Sequence, residues 1–135
     1  MIAVDSSALV AIYLEEPHGP QLLARLAAED SCLLSAANYV EAGQVLAQRK
    51  RRDPRQTLAE YERFLQRTGV VIARIDEEQA RVALEARIRY GKGFGHPARL
   101  NYSDCFAYAL AKVRNLPLLF VGDDFTHTDI VSALT

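Results

Sequence analysis

Four short apolar runs, separated by stretches with helical spacing, constrain the fold of this chain more than any other feature. The runs are IAVD at 2–5, CLL at 32–34, VVIARI at 70–75 and PLLFV at 117–121. Strand-like runs that alternate with helices predict an α/β sandwich, in which helices flank a mainly parallel central sheet in three layers. No repeat, linker or low-complexity segment divides residues 1–135, so we expect a single domain.

Capping residues mark where several helices begin. Ser35 precedes a helical stretch and is a candidate N-cap. Asp53, followed by proline and then Gln56, has the spacing of a capping box, and Asp76 with Gln79 repeats that spacing. These signals predict helices that start close to residues 36, 54 and 77.

Composition and charge exclude several classes of protein. The 16 Lys and Arg residues nearly balance the 17 Asp and Glu residues, so a polyanion would have to be held locally or through a metal ion. Cys32 and Cys105 lie far apart in apolar stretches, which indicates free buried thiols rather than a disulfide or zinc site. The first residues resemble neither a signal peptide nor a membrane span, and we expect a cytoplasmic protein.

Acidic residues occur where strands end and helices begin. Asp5 ends the first strand-like run and the doublet Asp123–Asp124 follows the last one, so a parallel sheet would place them at one edge. Glu41 lies on a partly apolar helix face, and Asp104 is in the first turn of a helix. Each acid alone has an ordinary explanation as a cap, turn or boundary residue. Together they predict an oxygen-rich site of the kind that Mg²⁺ or Mn²⁺ prefers.

Four segments carry a resemblance to a known family. They are AVDSSALVAIYLEE, SAANYVEAGQVL, LNYSDCFAYALAK and LLFVGDDFTHTDI, and they resemble the PIN-domain ribonucleases, in particular the VapC toxins. The resemblance covers nearly the whole chain and implies that four acids bind the divalent metal, namely Asp5, Glu41, Asp104 and Asp124. It implies supporting positions at Ser6, Asn101 and Ser103, while Asp123 is interpreted as a turn or supporting residue.

The same resemblance implies an activity and partners. VapC-like proteins are metal-dependent endoribonucleases, and bound Mg²⁺ or Mn²⁺ would promote hydrolysis of RNA phosphodiester bonds without a protein nucleophile. A VapB-like antitoxin would inhibit the chain by placing an arginine in the acidic pocket, and a homodimer is expected. His18, His96 and His127 are then interpreted as structural or surface residues.

Two other functions compete with this hypothesis. An aspartate-based phosphoryl-transfer domain also gathers acids at strand ends, but Ser7 stands where the haloacid-dehalogenase pattern needs aspartate, and a receiver would have its acidic pair early. A non-catalytic interaction module on a PIN fold is the second alternative.

The basic run QRKRRDPR at 48–55 is either a solvated helix end or an RNA contact. The loop YGKGFGHP at 90–97 is either a plain connection or a segment that moves over substrate.

Overall fold

The computed structural model describes residues 1–49 and 52–134, in which strands and helices alternate as predicted. Lys50 and Arg51, within the basic run, lie outside the described residues. The described elements in chain order are β1 (Ile2–Val4), α1 (Ser6–Tyr13), α2 (Gly19–Ala27), β2 (Cys32–Ser35), α3 (Ala36–Arg49), α4 (Pro54–Thr68), β3 (Val70–Ala73), α5 (Glu77–Tyr90), α6 (Tyr102–Arg114) and β4 (Leu118–Leu119).

The strands form one sheet in the order β3-β2-β1-β4, and each described strand pair is parallel. Val4 lies opposite Leu34 on one side and Leu119 on the other, so β1 and β2 occupy the centre. The prediction of a mainly parallel sheet is therefore confirmed. Parallel strands place their carboxyl ends at a common edge, and the segments that follow β1 and β4 emerge there together.

Two apolar clusters lie on opposite faces of the sheet, which confirms the three-layer arrangement. Ile2 and Val4 pack with α1–α4 on one face, and Ala3 packs with α5 and α6 on the other. Leu34 and Leu33 divide between the same two clusters. Neighbouring side chains of a strand point to opposite faces, so a strand covered on both sides must be continuously apolar. This explains the uninterrupted runs of β1, β2 and β4, whereas Val71 and Ile72 of the edge strand β3 are exposed.

The last strand is shorter than its apolar run predicts. The run extends over 117–121, but β4 comprises only Leu118–Leu119. The backbone N–H of Val121 donates to the Ser7 hydroxyl at 3.1 Å instead of continuing the sheet. The chain therefore leaves the sheet at the point where the acidic doublet follows.

Of the three predicted helix caps, Asp53 and Asp76 are confirmed and Ser35 is wrong. Ser35 is the last residue of β2, and its buried hydroxyl has no hydrogen-bond partner among the described residues, so it does not cap α3. Asp53 caps α4 by accepting from the N–H of Arg55, and Asp76 caps α5 by accepting from the N–H of Gln79 at 2.8 Å. The predicted capping boxes are wrong in their return bonds, which Gln56 and Gln79 were expected to make to the backbone of the cap residues. The Gln79 amide oxygen is buried without a partner among the described residues, and no hydrogen bond described there joins Gln56 to Asp53.

The structure confirms two further expectations, which concern the cysteines and His96. Cys32 and Cys105 are free and buried. His96 packs edge-on against Tyr90, and its Nδ1 accepts from the N–H of Ala98 at 3.0 Å, which gives it a structural role. Among the described residues, no helix is both long enough and apolar enough to cross a membrane.

Candidate active site

An open pocket of about 290 Å³ lies at the carboxyl edge of the sheet. It brings together residues from the end of β1, from α1, α3 and α6, and from the segment after β4. All four acids that the sequence suggested line it, and so do two of the suggested supporting residues: Asp5, Glu41, Asp104, Asp124, Ser6 and Asn101. The structure thus places side chains up to 119 positions apart in the sequence, Asp5 and Asp124, around one cavity.

Asp5 is fixed where β1 passes into α1. Its backbone N–H donates to the carbonyl of Leu119 at 2.9 Å, which extends the sheet by one bond. Its Oδ2 caps α1 by accepting from the N–H and the hydroxyl of Ser7, at 3.0 and 2.5 Å. Its Oδ1 is buried and has no hydrogen-bond partner among the described residues. A buried carboxylate oxygen without a partner carries a large desolvation cost, so this atom is free to accept a bond from water or from a ligand.

Asp104 belongs to a capping box that the sequence did not suggest. Asn101 is the N-cap of α6, and its Oδ1 accepts from the N–H of Asp104 at 2.9 Å. Asp104 returns the bond, since its Oδ2 accepts from the N–H of Asn101 at 3.0 Å. The box holds the carboxylate against the pocket with only 5 % of the residue exposed. Aspartate rather than Glu or Gln completes the box, which is why the usual sequence signature missed it.

Glu41 lies between two serine hydroxyls. The Ser6 hydroxyl donates to one carboxylate oxygen, and the Ser103 hydroxyl donates to the other. Ser103 also lies 3.0 Å from the amide oxygen of Asn101, so it joins α3 to the capping box of α6. Ser103 does not itself line the pocket, but its contact with Glu41 gives it a supporting position. The two hydroxyls satisfy Glu41 and orient its carboxylate.

Burial and mutual repulsion both disfavour ionisation of the deepest acids. Burial raises the pKa of Asp5 to about 6, against the opposing effect of its Ser7 hydrogen bonds, and the charge of Glu41 raises it further. Burial also raises the pKa of Asp104 to about 7, and the charges of Asp5, Asp124 and Glu41 add to this increase. The charges of the other three acids thus act on Asp104, and that of Glu41 acts on Asp5.

The acidic doublet divides between two environments. Asp124 lines the pocket next to Phe125, which is buried and stacks near Phe120 at a centroid distance of 5.1 Å. Asp123 does not line it, and its carbonyl accepts from the N–H and hydroxyl of Thr126, at 3.2 and 2.7 Å. Asp123 is therefore placed as a turn residue, whereas Asp124 faces the other acids.

Sequence reasoning missed several residues of the pocket. Ser7 links the acid at the end of β1 to the segment after β4 by donating to Asp5 and accepting from Val121. Asn38 does not line the pocket, but it is fully buried and supports Ser103 by donating to its carbonyl at 3.2 Å. Arg49, at the end of α3, also lines the pocket. The sequence did not place Arg49 in the pocket, but Arg49 belongs to the basic run at 48–55 for which RNA contact was one interpretation, and it follows Glu41 by two intervals of four on the helix.

The described acids are not arranged to hold an ion as they stand. Within residues 1–49 and 52–134, no group of three or more His, Cys, Asp or Glu side chains is suited to holding a metal ion. The hydrogen bonds explain this, because Ser6 and Ser103 engage both oxygens of Glu41, and Asn101 engages one oxygen of Asp104. Binding of a cation by more than two acids would require side chains to turn.

Other segments that the sequence singled out lie away from the pocket. None of the residues 90–97 of the glycine-containing loop lines it. That loop is closed by a bridge between Gly91 and Leu100 and by a hydrogen bond from Arg87 to the carbonyl of Lys92 at 2.8 Å. His18 lines a different cavity, and His127 is exposed. The histidines are thus absent from the described lining of the acidic pocket.

Comparison with known proteins identifies relatives along almost the full chain. The PIN domain family model matches residues 2–131. Ribonuclease VapC42 of Mycobacterium tuberculosis is 46% identical over 132 residues, which cover 98% of each chain. Ribonuclease VapC28 of the same species is 42% identical over 131 residues, covering 97% of this chain and 96% of the relative.

Solved structures show the same fold. The crystal structure of Mycobacterium tuberculosis VapC20, described as a sarcin-ricin loop cleaving toxin, superposes with a TM-score of 0.75 at 14% identity and covers 97% of both chains. Rickettsia felis VapBC2, bound to a promoter DNA fragment, gives a TM-score of 0.72 at 16% identity and covers 98% of this chain and 97% of that one. With the family model and the relatives above, these likenesses show that the chain belongs to the PIN-domain family and, within it, to the VapC group.

Proposed function

We propose that this protein is a divalent-metal-dependent endoribonuclease that acts as the toxin of a toxin-antitoxin pair. The observation that carries the proposal is the pocket at the carboxyl edge of the sheet, which four acids from separate segments line. The names of the relatives, VapC42 and VapC28 ribonucleases, support RNA as the substrate. Metal dependence and the roles of individual residues are the parts of the proposal that need their own tests.

The residues of the pocket fit a hard divalent cation. Every candidate ligand is a carboxylate oxygen, which is the donor type that Mg²⁺ and Mn²⁺ prefer. The buried Oδ1 of Asp5 has no partner among the described residues, and Asp104 faces the charges of three other acids. A cation would give the Oδ1 of Asp5 a partner and would neutralise the repulsion around Asp104. In this proposal Asp5 and Asp104 are the inner ligands, and Glu41 and Asp124 complete the acidic set.

A bound cation supplies Lewis acidity towards a phosphate oxygen and towards the attacking water. The protein's own residues prepare the site. Ser7 and Asn101 hold the carboxylates of Asp5 and Asp104 in fixed orientations, so little rearrangement is needed on substrate binding. Glu41, oriented by two hydroxyls, is positioned to accept a proton or to turn towards the cation. No histidine lines the described pocket, which is consistent with hydrolysis that uses carboxylates alone.

The partner proposed for this chain is a VapB-like antitoxin. Several solved structures of similar fold are complexes, among them a toxin-antitoxin complex from Klebsiella pneumoniae. An apolar groove at the α1–α2 junction, lined by Ile12, Pro20 and Leu23, adjoins the acidic pocket, because Glu16 lines both. An apolar antitoxin segment in the groove would bring a following arginine to the acids. A homodimer is also proposed, supported by Leu84 and Ile88, which lie exposed on α5.

The first prediction concerns catalysis. Asp104→Asn removes one negative charge but keeps an oxygen that can accept from Asn101, so α6 should remain capped. We expect RNA cleavage in Mn²⁺ to fall at least about a hundredfold, since even groups that only orient metal ligands contribute 10–100-fold. Asp123→Asn is the matched control, because it makes the same change outside the pocket and should retain near-parental activity. Cleavage of purified total RNA by the antitoxin-free protein, with and without EDTA, is the measurement.

Equal activity of the Asp104→Asn and Asp123→Asn variants would contradict the assignment of the pocket. Failure of the parent to cleave any RNA in Mg²⁺ or Mn²⁺ would instead favour a non-catalytic interaction module. Greater loss from Asp123→Asn than from Asp124→Asn would reverse the roles given to the doublet.

The second prediction concerns stability without metal. Asp5 and Asp104 have higher pKa values in the folded chain than their ordinary 3.8, so between pH about 4 and about 7 the folded state binds more protons than the unfolded state. Stability in EDTA should therefore fall as pH rises through this window. The lowered pKa of Asp129 acts below the window and does not oppose the trend. Saturating Mn²⁺ should restore stability near pH 8.

Urea unfolding at several pH values, with EDTA or Mn²⁺, is the measurement. Asp104→Asn should be more stable than the parent near pH 8 in EDTA, by on the order of 1 kcal/mol, because it removes a buried charge. Asp123→Asn, on the exposed turn, should follow the parent. A parent that gains stability from pH 5 to 8 in EDTA would overturn the account of repulsion in the pocket.

The third prediction concerns the antitoxin. Co-expression of a short antitoxin-like gene from the neighbouring reading frame should relieve growth arrest and yield a stable complex. Leu23→Asp in the apolar groove should weaken that complex while RNA cleavage is retained, because the side chain is 42% exposed and outside the acidic pocket. Undiminished toxicity on co-expression would exclude the pairing.

The homodimer predicts a solution mass of twice 15.0 kDa for the purified chain, measured by light scattering.

A further inference from the structure

Arg49 lines the acidic pocket without pairing with its acids. It is in the last turn of α3, and its spacing places it on the helix face of Glu41 and Val45, which line the same pocket. Five carboxylates share this lining, including Glu16 at the pocket mouth. No salt bridge within residues 1–49 and 52–134 includes Arg49. Arg49 therefore lines an acidic cavity, and no described hydrogen bond or salt bridge gives its guanidinium an acceptor.

Two other arginines pair with acids outside this lining. Arg52 pairs with Glu60, and Arg25 pairs with Glu29 at 2.7 Å. These contacts tie each arginine to its own part of the surface, whereas Arg49 is exposed at the pocket. Within the described lining of the pocket, Arg49 is the only Lys or Arg.

The chemistry of guanidinium indicates what Arg49 would bind. Its planar donors match the oxygens of a phosphate in a bidentate fashion. Glu41 and Arg49 are two intervals of four apart, so their backbones are separated by about 12 Å along α3. Arg49 therefore lies towards the helix end of the lining, whereas Glu41 lies among the acids. An RNA strand that places one phosphate at the acids can present the adjacent phosphate to Arg49.

We propose that Arg49 binds a backbone phosphate of the RNA next to the scissile one. This assignment rests on the proposed ribonuclease function and adds a substrate-binding residue to it. The acids, with their cation, hold the scissile phosphate, and Arg49 holds its neighbour, so the strand is fixed in register across the pocket. Arg49 therefore contributes to substrate affinity in the ground state and the transition state alike, and its loss raises KM more than it lowers kcat.

Binding of RNA is the direct test. Fluorescence anisotropy with a short fluorescein-labelled single-stranded RNA of mixed sequence would compare three proteins in an Asp104→Asn background, which blocks cleavage: the background itself, Arg49→Ala and Arg114→Ala. Arg114 is the matched control, since it is exposed at the opposite end of α6 from Asp104. We expect Arg49→Ala to weaken binding about tenfold and to lower the slope of log affinity against log salt by about 1. Arg49→Lys should lose less than Arg49→Ala.

Equal affinity and salt slope for Arg49→Ala and Arg114→Ala would overturn the proposal. The rival role, an internal counter-ion for the acids, makes a different prediction: Arg49→Ala in the otherwise unaltered chain would bind Mn²⁺ more tightly and RNA unchanged. That result would also overturn it. Cleavage of total RNA by the unaltered chain separates the two levels. If the unaltered chain cleaves RNA but Arg49→Ala does not change RNA binding, only the Arg49 assignment is refuted. If the unaltered chain cleaves no RNA but RNA binding depends on Arg49, the ribonuclease function is refuted and the phosphate contact is retained.

Discussion

Repulsion between carboxylates at the carboxyl edge of the sheet is the constraint on which the rest of the structure depends. The fold buries Asp5 at 2% exposure and Asp104 at 5%, and the charge of Asp5 adds to the raised pKa of Asp104. Burial in a medium of low polarity makes such an arrangement costly. The protein offsets part of this cost with neutral donors, from Ser7 to Asp5 and from Asn101 to Asp104. It supplies no lysine or arginine in contact with either acid among the described residues, which leaves that function to a ligand.

The surrounding elements explain how this arrangement is maintained. β1 is covered on both faces by apolar clusters, so its end is held rigidly, and Asp5 takes its place from that end. α6 enters through a capping box whose second member is Asp104, which means that the residue starting the helix also faces the pocket. Helix capping and site formation therefore use the same carboxylate. A substitution there that removes the charge but keeps the acceptor oxygen separates these two roles.

Much of the fold and of the set of acids could be predicted from the sequence. The fold follows from the spacing of apolar residues, and the acids follow from their positions at the ends of strands and on helices. Continuous apolar runs identify strands covered on both faces, and residues after parallel strands meet at one edge, which located Asp5 and Asp124. The predicted caps were less accurate where tertiary packing intervened. Ser35 remains in its strand, and Gln79 is buried with its amide oxygen unpaired among the described residues. The hydrogen bond from the N–H of Val121 to the Ser7 hydroxyl joins residues 114 positions apart, and no local sequence pattern predicts it.

The central claim is that the pocket acids bind a divalent cation together. Its most direct measurement is a crystal structure of the antitoxin-free chain grown with Mn²⁺, in which anomalous scattering locates the ion. We expect an anomalous peak for a Mn²⁺ ion bonded to the Oδ1 of Asp5 and to Asp104, with Glu41 or Asp124 turned towards the ion. A map with Mn²⁺ present only elsewhere on the molecule, or with Arg49 inserted among the acids in its place, would contradict the account.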